Sequence, residues 1–365
     1  MPYDPNDPRS QLATDTSGVI TVASTVASSG DAAAPPEFVE LSTTEPDEIT
    51  PHGTRSWIVR SQTGVVVYSD AVTGERLDRL AQLDEYVLVL VSAPMRPAAQ
   101  VVVTADAPAA RAEVDDDAVV IVPPGRSSVV VTAPGVLVRV FSNEAADLVG
   151  RAGNAAAHDA SRAHEHRHTA AFAPWPPSPE GDRLRVYRLA DIPSEPGRFG
   201  TIFRCRTVMV NVIPADPGAR DPARLSPHHH DDFEQISLHI DGDYVHHIRT
   251  PWTTDLGTWR DDAHQQCTSP ALVVIPPPTV HTSQGVGDQR HQPDRHLCAT
   301  AARLLVASRL GRERARLPGA AESRLSGAGS GQTRNGQCRQ PEPQHVPTAA
   351  RWAAVKTNRP VPGSR

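Results

Sequence analysis

Short runs of β-branched and other apolar residues, separated by turn residues, dominate the chain between residues 55 and 142. The runs recur about every 8 to 12 residues, a spacing typical of β-sandwiches and β-barrels. Gly, Pro and Asp stand between them, as expected for the turns that join short strands. The pattern predicts a first all-β barrel over residues 51–145, with strands in SWIVRS, GVVVYSD, EYVLVLVS, QVVVTAD, AVVIVPPG, SSVVVTAPG and VLVRVFS.

A second group of strand patterns follows a connector. Residues 146–182 begin with a stretch that favours a short helix and end in the turn-rich PWPPSPEG, so we interpret them as a linker. Residues 183–288 then predict a second barrel, and the DGD at 241–243 predicts a hairpin between two of its strands. The expected strands are RLRVYRL, GTIFRCRTVMVNVIP, FEQISLHIDG, DYVHHIRT and ALVVIPP.

The two ends of the chain lack this pattern. Residues 1–50 are rich in Ser, Thr, Ala, Asp and Pro and predict a disordered leader. Residues 289–365 are mainly Arg, Ala, Gly and Ser, and only ATAARLLVASRL favours a marginal helix. We expect a disordered tail or the product of a reading-frame shift, because residues 289–318 can be back-translated so that moving one nucleotide yields a strand-like peptide.

The composition of the chain indicates which partners it can have, but it says little about the reaction. The formal net charge of −6 gives no reason to expect nucleic acid. No apolar run approaches the ~20 residues that cross a bilayer, and the polar N-terminus lacks the features of a secretory signal. We therefore expect a cytoplasmic protein with a small-molecule substrate, no nucleic acid, no membrane, and a homodimer left open. Four widely spaced cysteines predict reduced thiols: Cys205, Cys267, Cys298 and Cys338.

The segment HHHDDFE at 228–234 and the later IPPPTVH carry the candidate chemistry. On a strand, His228 and His230 project from the same face, Glu234 follows a short bend, and His281 comes from a later strand. Three imidazoles and one carboxylate suit Fe(II), Mn(II), Ni(II), Cu(II) or Zn(II). For the HHH run alone, a solvated surface segment is an equally good interpretation.

Together these segments resemble the two motifs of the cupin superfamily, G-x5-H-x-H-x3,4-E-x6-G and G-x5-P-x-G-x2-H-x3-N. Seven residues separate Glu234 from Gly242, Pro278 replaces the glycine of the second motif, and Gly285 replaces its asparagine. The resemblance implies a jelly roll, or double-stranded β-helix. It also implies one divalent metal, Fe(II) before Mn, Ni, Cu or Zn, on His228, His230, Glu234 and His281.

The first barrel resembles a cupin barrel without metal. The segment VIVPPGRSSV has Pro123 and Gly125 in the places of the second motif. His52, however, is the only histidine before His158. Two-barrel cupins with one metal-free barrel are the implied arrangement.

Two neighbouring histidines of the second barrel are candidate catalytic residues. His246 and His247 must point to opposite faces of a strand, so at most one faces the interior. The inward histidine could act as general acid or base, although a histidine hydrogen-bonded at the barrel wall is equally compatible with the pattern.

The strand end and loop that follow carry candidate substrate-binding residues. Arginine suits a carboxylate or phosphate and tryptophan a flat or sugar-like ligand. If the loop overhangs the barrel mouth, the binding residues are Arg249, Trp259, Arg260 and His264. Alternatively, the tryptophans pack on the outside of the sheet, which we favour for Trp252.

The connector contains a further histidine cluster, HEHRH, from His164 to His168. Paired histidines can bind a divalent ion. The polar surroundings favour a solvated linker over a metal site.

Three function classes follow. The leading one is a mononuclear metal enzyme, an oxidoreductase of the dioxygenase kind, in which the metal keeps positions open for substrate and O2. The second is a metal-dependent isomerase, epimerase or lyase on a sugar or keto acid. The third is a cupin that binds a small molecule without catalysis.

Overall fold

The computed structural model describes residues 32–193, 200–213 and 219–286, together with the backbone of one strand at Arg303–Ser308. Antiparallel strands make up most of this part of the chain, as the hydrophobic pattern predicts. The strands are β1 Glu37–Glu40, β2 Glu48–Ile49, β3 Arg55–Arg60, β4 Gly64–Ala71, β5 Arg76–Gln82, β6 Tyr86–Leu90, β7 Gln100–Asp106, β8 Ala109–Val114, β9 Ala118–Val122, β10 Gly125–Ala133, β11 Gly135–Ser142, β12 Arg185–Arg188, β13 Thr201–Arg204, β14 Val208–Ile213, β15 Gln235–His239, β16 Asp243–Arg249, β17 Ala263–Thr268, β18 Ala271–Ile275, β19 Val280–Gly285 and β20 Arg303–Ser308.

Helical structure is short and lies mainly in the connector. The helix α1 spans Ala146–Val149 and begins the connector as expected. Five 3-10 turns span Ala155–His158, Ala160–His166, Leu189–Asp191, Pro222–Arg224 and Leu256–Thr258. Within the described residues, no helix has both the length and the apolar character needed to cross a membrane.

The first barrel consists of a seven-stranded sheet in the order β12-β9-β6-β11-β4-β3-β2 and a four-stranded sheet in the order β5-β10-β7-β8. Its interior is filled with apolar side chains, among them Tyr86 and Phe141, whose rings stack with centroids 4.8 Å apart. The interior of the first barrel is therefore an apolar core.

The second barrel consists of a six-stranded sheet in the order β1-β18-β15-β20-β14-β13 and a three-stranded sheet in the order β17-β16-β19. A small apolar cluster containing Val273 and Ile248 lies inside it. Strand β15 contributes polar residues to the same face of the sheet. Ser237 pairs with Val273 and so points to the same side, and Gln235 and His239, each two residues from Ser237, point there too. These three residues are buried, so the second barrel is the one with a polar interior.

The barrels exchange strands, which corrects two expected boundaries. Strand β1 lies in the expected disordered leader but pairs with β18 of the second barrel. Strand β12 lies in the segment assigned to the second barrel but pairs with β9 of the first. The sequence pattern missed both pairings because four residues such as EFVE carry little period-2 signal, and the partner strand supplies the missing stabilisation. Residues 1–31 of the expected leader lie outside the described residues.

A shared apolar core joins the two barrels. Val66 and Tyr68 on β4 and Val138 on β11 turn away from the first barrel's interior, and they pack in one cluster with Leu238 and Val274 of the second barrel. Each of these five side chains is at most 1% exposed. The outer faces of the two large sheets therefore form a continuous core, and the barrels do not pack independently.

The expected tail contributes a strand. Strand β20 lies between β14 and β15 and pairs with both, so residues 303–308 are neither disordered nor helical. The run RLLVAS adopts the extended form because two strand edges offer it backbone partners on both sides, which outweighs its weak helix preference. The rest of the tail lies outside the described residues. The reading-frame hypothesis concerns that segment and stays a prediction.

Two of the four cysteines lie in the described part of the chain. Cys205 and Cys267 are buried free thiols, and burial raises the pKa of each to about 11. Thiols of this kind remain protonated and unreactive at neutral pH.

Candidate metal centre

Three of the predicted ligands converge at one end of the second barrel. The backbones of His228 and His281 pair, with N–H···O=C distances of 3.0 and 2.8 Å in the two directions. His230 lies two residues further on, and its ring centroid is 5.3 Å from that of His228 and 5.5 Å from that of His281. One ligand atom from each ring lies within 4.8 Å of the other two. All three side chains are buried.

Hydrogen bonds to backbone carbonyls fix the orientation of two of these rings. Nδ1 of His228 donates to the carbonyl of Ser226, and Nδ1 of His281 donates to the carbonyl of Thr279, each at 2.9 Å. In a neutral imidazole this arrangement places the lone pair on Nε2. Metal-binding histidines are characteristically oriented in this way.

The third histidine is neutral at physiological pH. Burial, and then the neighbouring His228, lower the pKa of His230 to about 3. Its Nε2 lies 3.0 Å from Oε1 of Gln235, whose amide nitrogen donates in turn to the hydroxyl of Ser237. A neutral imidazole is the form that binds a metal, so no proton has to be removed from His230 first.

The three histidines fit a divalent transition metal. Imidazole nitrogens bind such ions at ~2.0–2.1 Å, which places two ligand atoms at most roughly 4.2 Å apart. The ligand atoms of the three rings lie within 4.8 Å of one another, so the set can be wider than around a bound ion. Small rotations of the rings close the set around one ion, and three protein ligands leave further coordination positions open.

Glu234 is not part of this group, which corrects the predicted ligand set. Its carboxylate accepts a hydrogen bond from the backbone N–H of Gln62, in the first barrel, at 2.6 Å. Its other oxygen lies 3.5 Å from Nδ1 of His166 in the connector. The cause is strand parity: Gln235 faces inward beside His230, so Glu234 takes the opposite face, toward the first barrel.

The two candidate catalytic histidines point to opposite faces of β16. His246 is 1% exposed, and its Nδ1 lies 2.9 Å from the hydroxyl of Ser283. Ser283 shares a face of β19 with His281, so His246 lies on the same side of the sheet as the three-histidine group. His247 lies on the other face, where its ring contacts His264 and Gln284.

The same parity separates two predicted substrate-binding residues from the site. Arg249 and His264 share the outer face with His247. Arg249 forms a bidentate ion pair with Asp262, and its side chain is 70% exposed. The structure therefore places neither residue in the barrel interior, because both have the parity opposite to that of His246.

The other loop residues are also engaged elsewhere. Trp252 and Trp259 stack on each other with centroids 4.3 Å apart and are 63% and 40% exposed. A guanidinium nitrogen of Arg260 donates to the carbonyl of Ala33 at 2.7 Å. The two tryptophans pack on each other, and Arg260 anchors the N-terminal segment that leads into β1.

Sequence reasoning missed the role of the connector histidines. His158 and His166 are buried, and with Glu234 they form a second group whose ligand atoms lie within 4.8 Å of one another. The interpretation of HEHRH as a solvated linker is wrong for His166 and holds for the exposed His164. The only signal in the sequence was the density of histidines, which does not show which of them the fold buries.

We predict that replacing His229 by alanine leaves the metal content unchanged. His229 is less buried than its two neighbours, and its Nε2 contacts the carboxylate of Asp231 at 3.2 Å. Replacing His230 by alanine, in contrast, removes a ligand. Metal analysis of the two purified variants checks this, and equal losses would show that the ligand pair is wrongly assigned.

Comparisons with solved structures find proteins of low sequence identity. They include a cupin 2 conserved barrel protein from Leptotrichia buccalis (7% identity, 75% of this chain and 96% of that one, TM-score 0.40) and protein Ylba from E. coli (10%, 78% and 95%, 0.44). A formate complex of oxalate decarboxylase from Lactobacillus farciminis is similar at 12% identity, with 76% and 88% covered and a TM-score of 0.48. No family model matches the chain, and no curated protein is significantly similar to it.

The structure confirms the expected all-β architecture. Two barrels of facing antiparallel sheets are present, and the histidines of both motifs meet inside the second. The identities of 7 to 12% carry no information about the reaction.

Proposed function

We propose that the chain is a metal-dependent enzyme that acts on a small organic substrate in its second barrel, with dioxygenase-like oxidoreductase chemistry as the leading class. The observation that carries this proposal is the convergence of three buried histidines in the barrel with the polar interior. A bound divalent metal would supply Lewis acidity and open positions for substrate and O2.

The protein's own residues would orient the reactants and control water. Gln235 and Ser237 form a hydrogen-bonded row that begins at His230 and runs along the interior face of β15. Apolar residues of the small cluster, such as Val273 and Ile248, lie across from them. A polar row facing an apolar wall suits a small substrate with a polar group at one end.

His246 supports acid–base chemistry in the same space. His246 pairs with Ser283 on β19, and Ser283 lies two residues from His281 on the same strand. His246 is therefore roughly 7 Å from His281 along the strand direction. A buried histidine at that distance could exchange a proton with a substrate held between it and the three-histidine group. This observation favours the second candidate, a metal-dependent isomerase, epimerase or lyase on a sugar or keto acid.

The metal and its reaction with O2 distinguish these functions. The purified protein is analysed for metal, and O2 uptake and product formation are followed with a panel of sugars and small hydroxy, keto and dicarboxylic acids. We expect iron or copper and substrate-dependent O2 uptake. Redox-inactive zinc in the barrel, with turnover of a sugar or keto acid, would favour the second candidate. Absence of metal from the barrel would contradict both and favour a non-catalytic binding protein.

We predict that replacing His246 by glutamine lowers kcat roughly 100-fold or more, within the range of general acid–base catalysis, with metal content unchanged. Replacing His247 by glutamine is the matched control, because that neighbour lies on the outer face and should leave kcat within about twofold. The measurement is steady-state turnover of the substrate found in the panel. Equal effects of both substitutions would contradict a role for His246 as acid or base.

A further inference from the structure

A second group of potential metal ligands lies where the connector meets both barrels. His158 and His166 belong to the two 3-10 turns of the connector, and Glu234 immediately precedes β15. One ligand atom from each lies within 4.8 Å of the others, and the three residues are 6%, 8% and 2% exposed. The two imidazole rings stack with centroids 4.8 Å apart.

The outer atoms of all three side chains are already held by other groups. Nε2 of His158 donates to Oε1 of Glu37 at 2.8 Å, and Nε2 of His166 donates to the carbonyl of Ala157 at 3.2 Å. The backbone N–H of Gln62 donates to Oε2 of Glu234. A carboxylate or carbonyl behind each imidazole is the arrangement that orients histidines toward a metal.

These outer hydrogen bonds determine which of the atoms that face one another are hydrogen-bond acceptors. With Nε2 protonated, Nδ1 of each neutral ring is a hydrogen-bond acceptor, as is the remaining oxygen of Glu234. The three atoms are buried, and none has a hydrogen-bond donor within the described residues. The closest approach is the 3.5 Å between Nδ1 of His166 and Oε1 of Glu234. Buried acceptors that face one another are unfavourable unless a cation or a donor lies between them.

The nearby charges also favour a cation. Glu234 and Glu37 bring two negative charges, and Arg60 is a positive side chain that interacts electrostatically with both. The guanidinium of Arg60 donates to the carbonyl of Ser61 and forms no ion pair with either carboxylate in the described structure. With neutral histidines the group therefore carries a net negative charge in a buried place.

We propose that His158, His166 and Glu234 form a second divalent-cation site, separate from the three-histidine group, that binds Zn²⁺. Two imidazoles and one carboxylate are a zinc donor set, with water as the fourth ligand. The site joins the connector to the start of β15, so the cation would fasten the connector against both barrels. Asn154 supports it from behind, because its side-chain amide donates to Glu37 and to the carbonyl of Arg60.

A proton is the competing cation. Although burial opposes it, hydrogen bonding and attraction to Glu234 raise the pKa of His166, so an imidazolium paired with Glu234 would also separate the acceptors. That arrangement leaves Nδ1 of His158 without a donor. A divalent ion satisfies all three atoms together, which is why we favour it.

The test uses the full-length chain with both His228 and His281 replaced by alanine, so that the barrel group cannot hold metal. The metal-free protein is titrated with Zn²⁺ by calorimetry, and its melting temperature is recorded with and without Zn²⁺. We expect one Zn²⁺ per chain and a higher melting temperature in its presence. Adding Glu234→Gln, which preserves the side-chain shape, should weaken Zn²⁺ binding more than 100-fold, since the loss of a ligand exceeds the effect of supporting residues.

The matched control is His164→Ala in the same background, because His164 lies exposed in the same 3-10 turn. This variant should bind Zn²⁺ as tightly as its parent. No Zn²⁺ binding by the parent, or equal binding with and without Glu234→Gln, would overturn the proposal. If the double variant does not fold, the wild-type chain serves: Glu234→Gln should lower its zinc content by one ion per chain, and an unchanged content would overturn the site.

Discussion

Replacing His228 or His281 by alanine will lower the metal content by one ion per chain while the β-structure persists. Each substitution removes one of three protein ligands, so affinity should fall by more than the ~10-fold to 100-fold that supporting residues contribute. The fold should survive because the two residues pair through their backbones, which alanine preserves. Metal analysis and circular dichroism of the purified variants provide the measurement.

The control for this experiment is His264→Ala. His264 is exposed on the outer face of the same small sheet, where it contacts His247. Its loss should leave the metal content unchanged. Retention of the metal by both ligand variants, or its loss from the control, would contradict the three-histidine assignment.

Replacing Leu238 by alanine will destabilise both barrels together, by about 2 to 5 kcal/mol. Leu238 is fully buried in the apolar core that the outer faces of the two large sheets share. Truncation leaves a cavity in packing that belongs to both barrels. Because the barrels also exchange strands, we expect chemical denaturation to remain a single transition at a lower midpoint.

The matched control is Leu80→Ala on β5, where the leucine is 67% exposed. An exposed substitution of this kind should change the free energy of unfolding by no more than about 0.5 kcal/mol. Two separate transitions, with only the one that releases the metal shifted by Leu238→Ala, would show that the barrels fold as independent units.

The sequence predicted the parts of the fold that carry a strong local signal. Continuous apolar runs of β-branched residues such as GVVVYSD identify strands, and this strand is buried on both faces. Strands β1, β12 and β20 depend instead on distant partners. EFVE gave no strand signal, and RVYR lies in a predicted strand that was assigned to the wrong barrel. Which barrel receives a short edge strand is decided by tertiary pairing, and that information is absent from the local pattern.

The candidate site shows the same division. His228 and His230 follow from alternation, and His281 pairs with His228 directly. Glu234 does not follow, because the bend at residues 231–232 breaks the alternation and Gln235 takes the inward position beside His230. Spacing predicts direction only as long as the strand is continuous.

The alternation of side chains along β16 also explains why two predicted substrate-binding residues lie away from the site. Once His246 faces the interior, His247 and Arg249 must face outward, and His264 follows because it pairs with His247. The sequence alone could not decide which of the two neighbouring histidines faced inward. The choice is made by β19, where Ser283 contacts His246 on the face that carries His281.

The most direct test of the account is an anomalous difference map from a crystal of the metal-loaded protein, recorded above the absorption edge of the metal it contains. We predict a peak in the second barrel within ~2.0–2.3 Å of a ring nitrogen of His228, His230 and His281, with Glu234 outside its coordination shell. A map without a peak among these three histidines would contradict the central claim that they bind the metal.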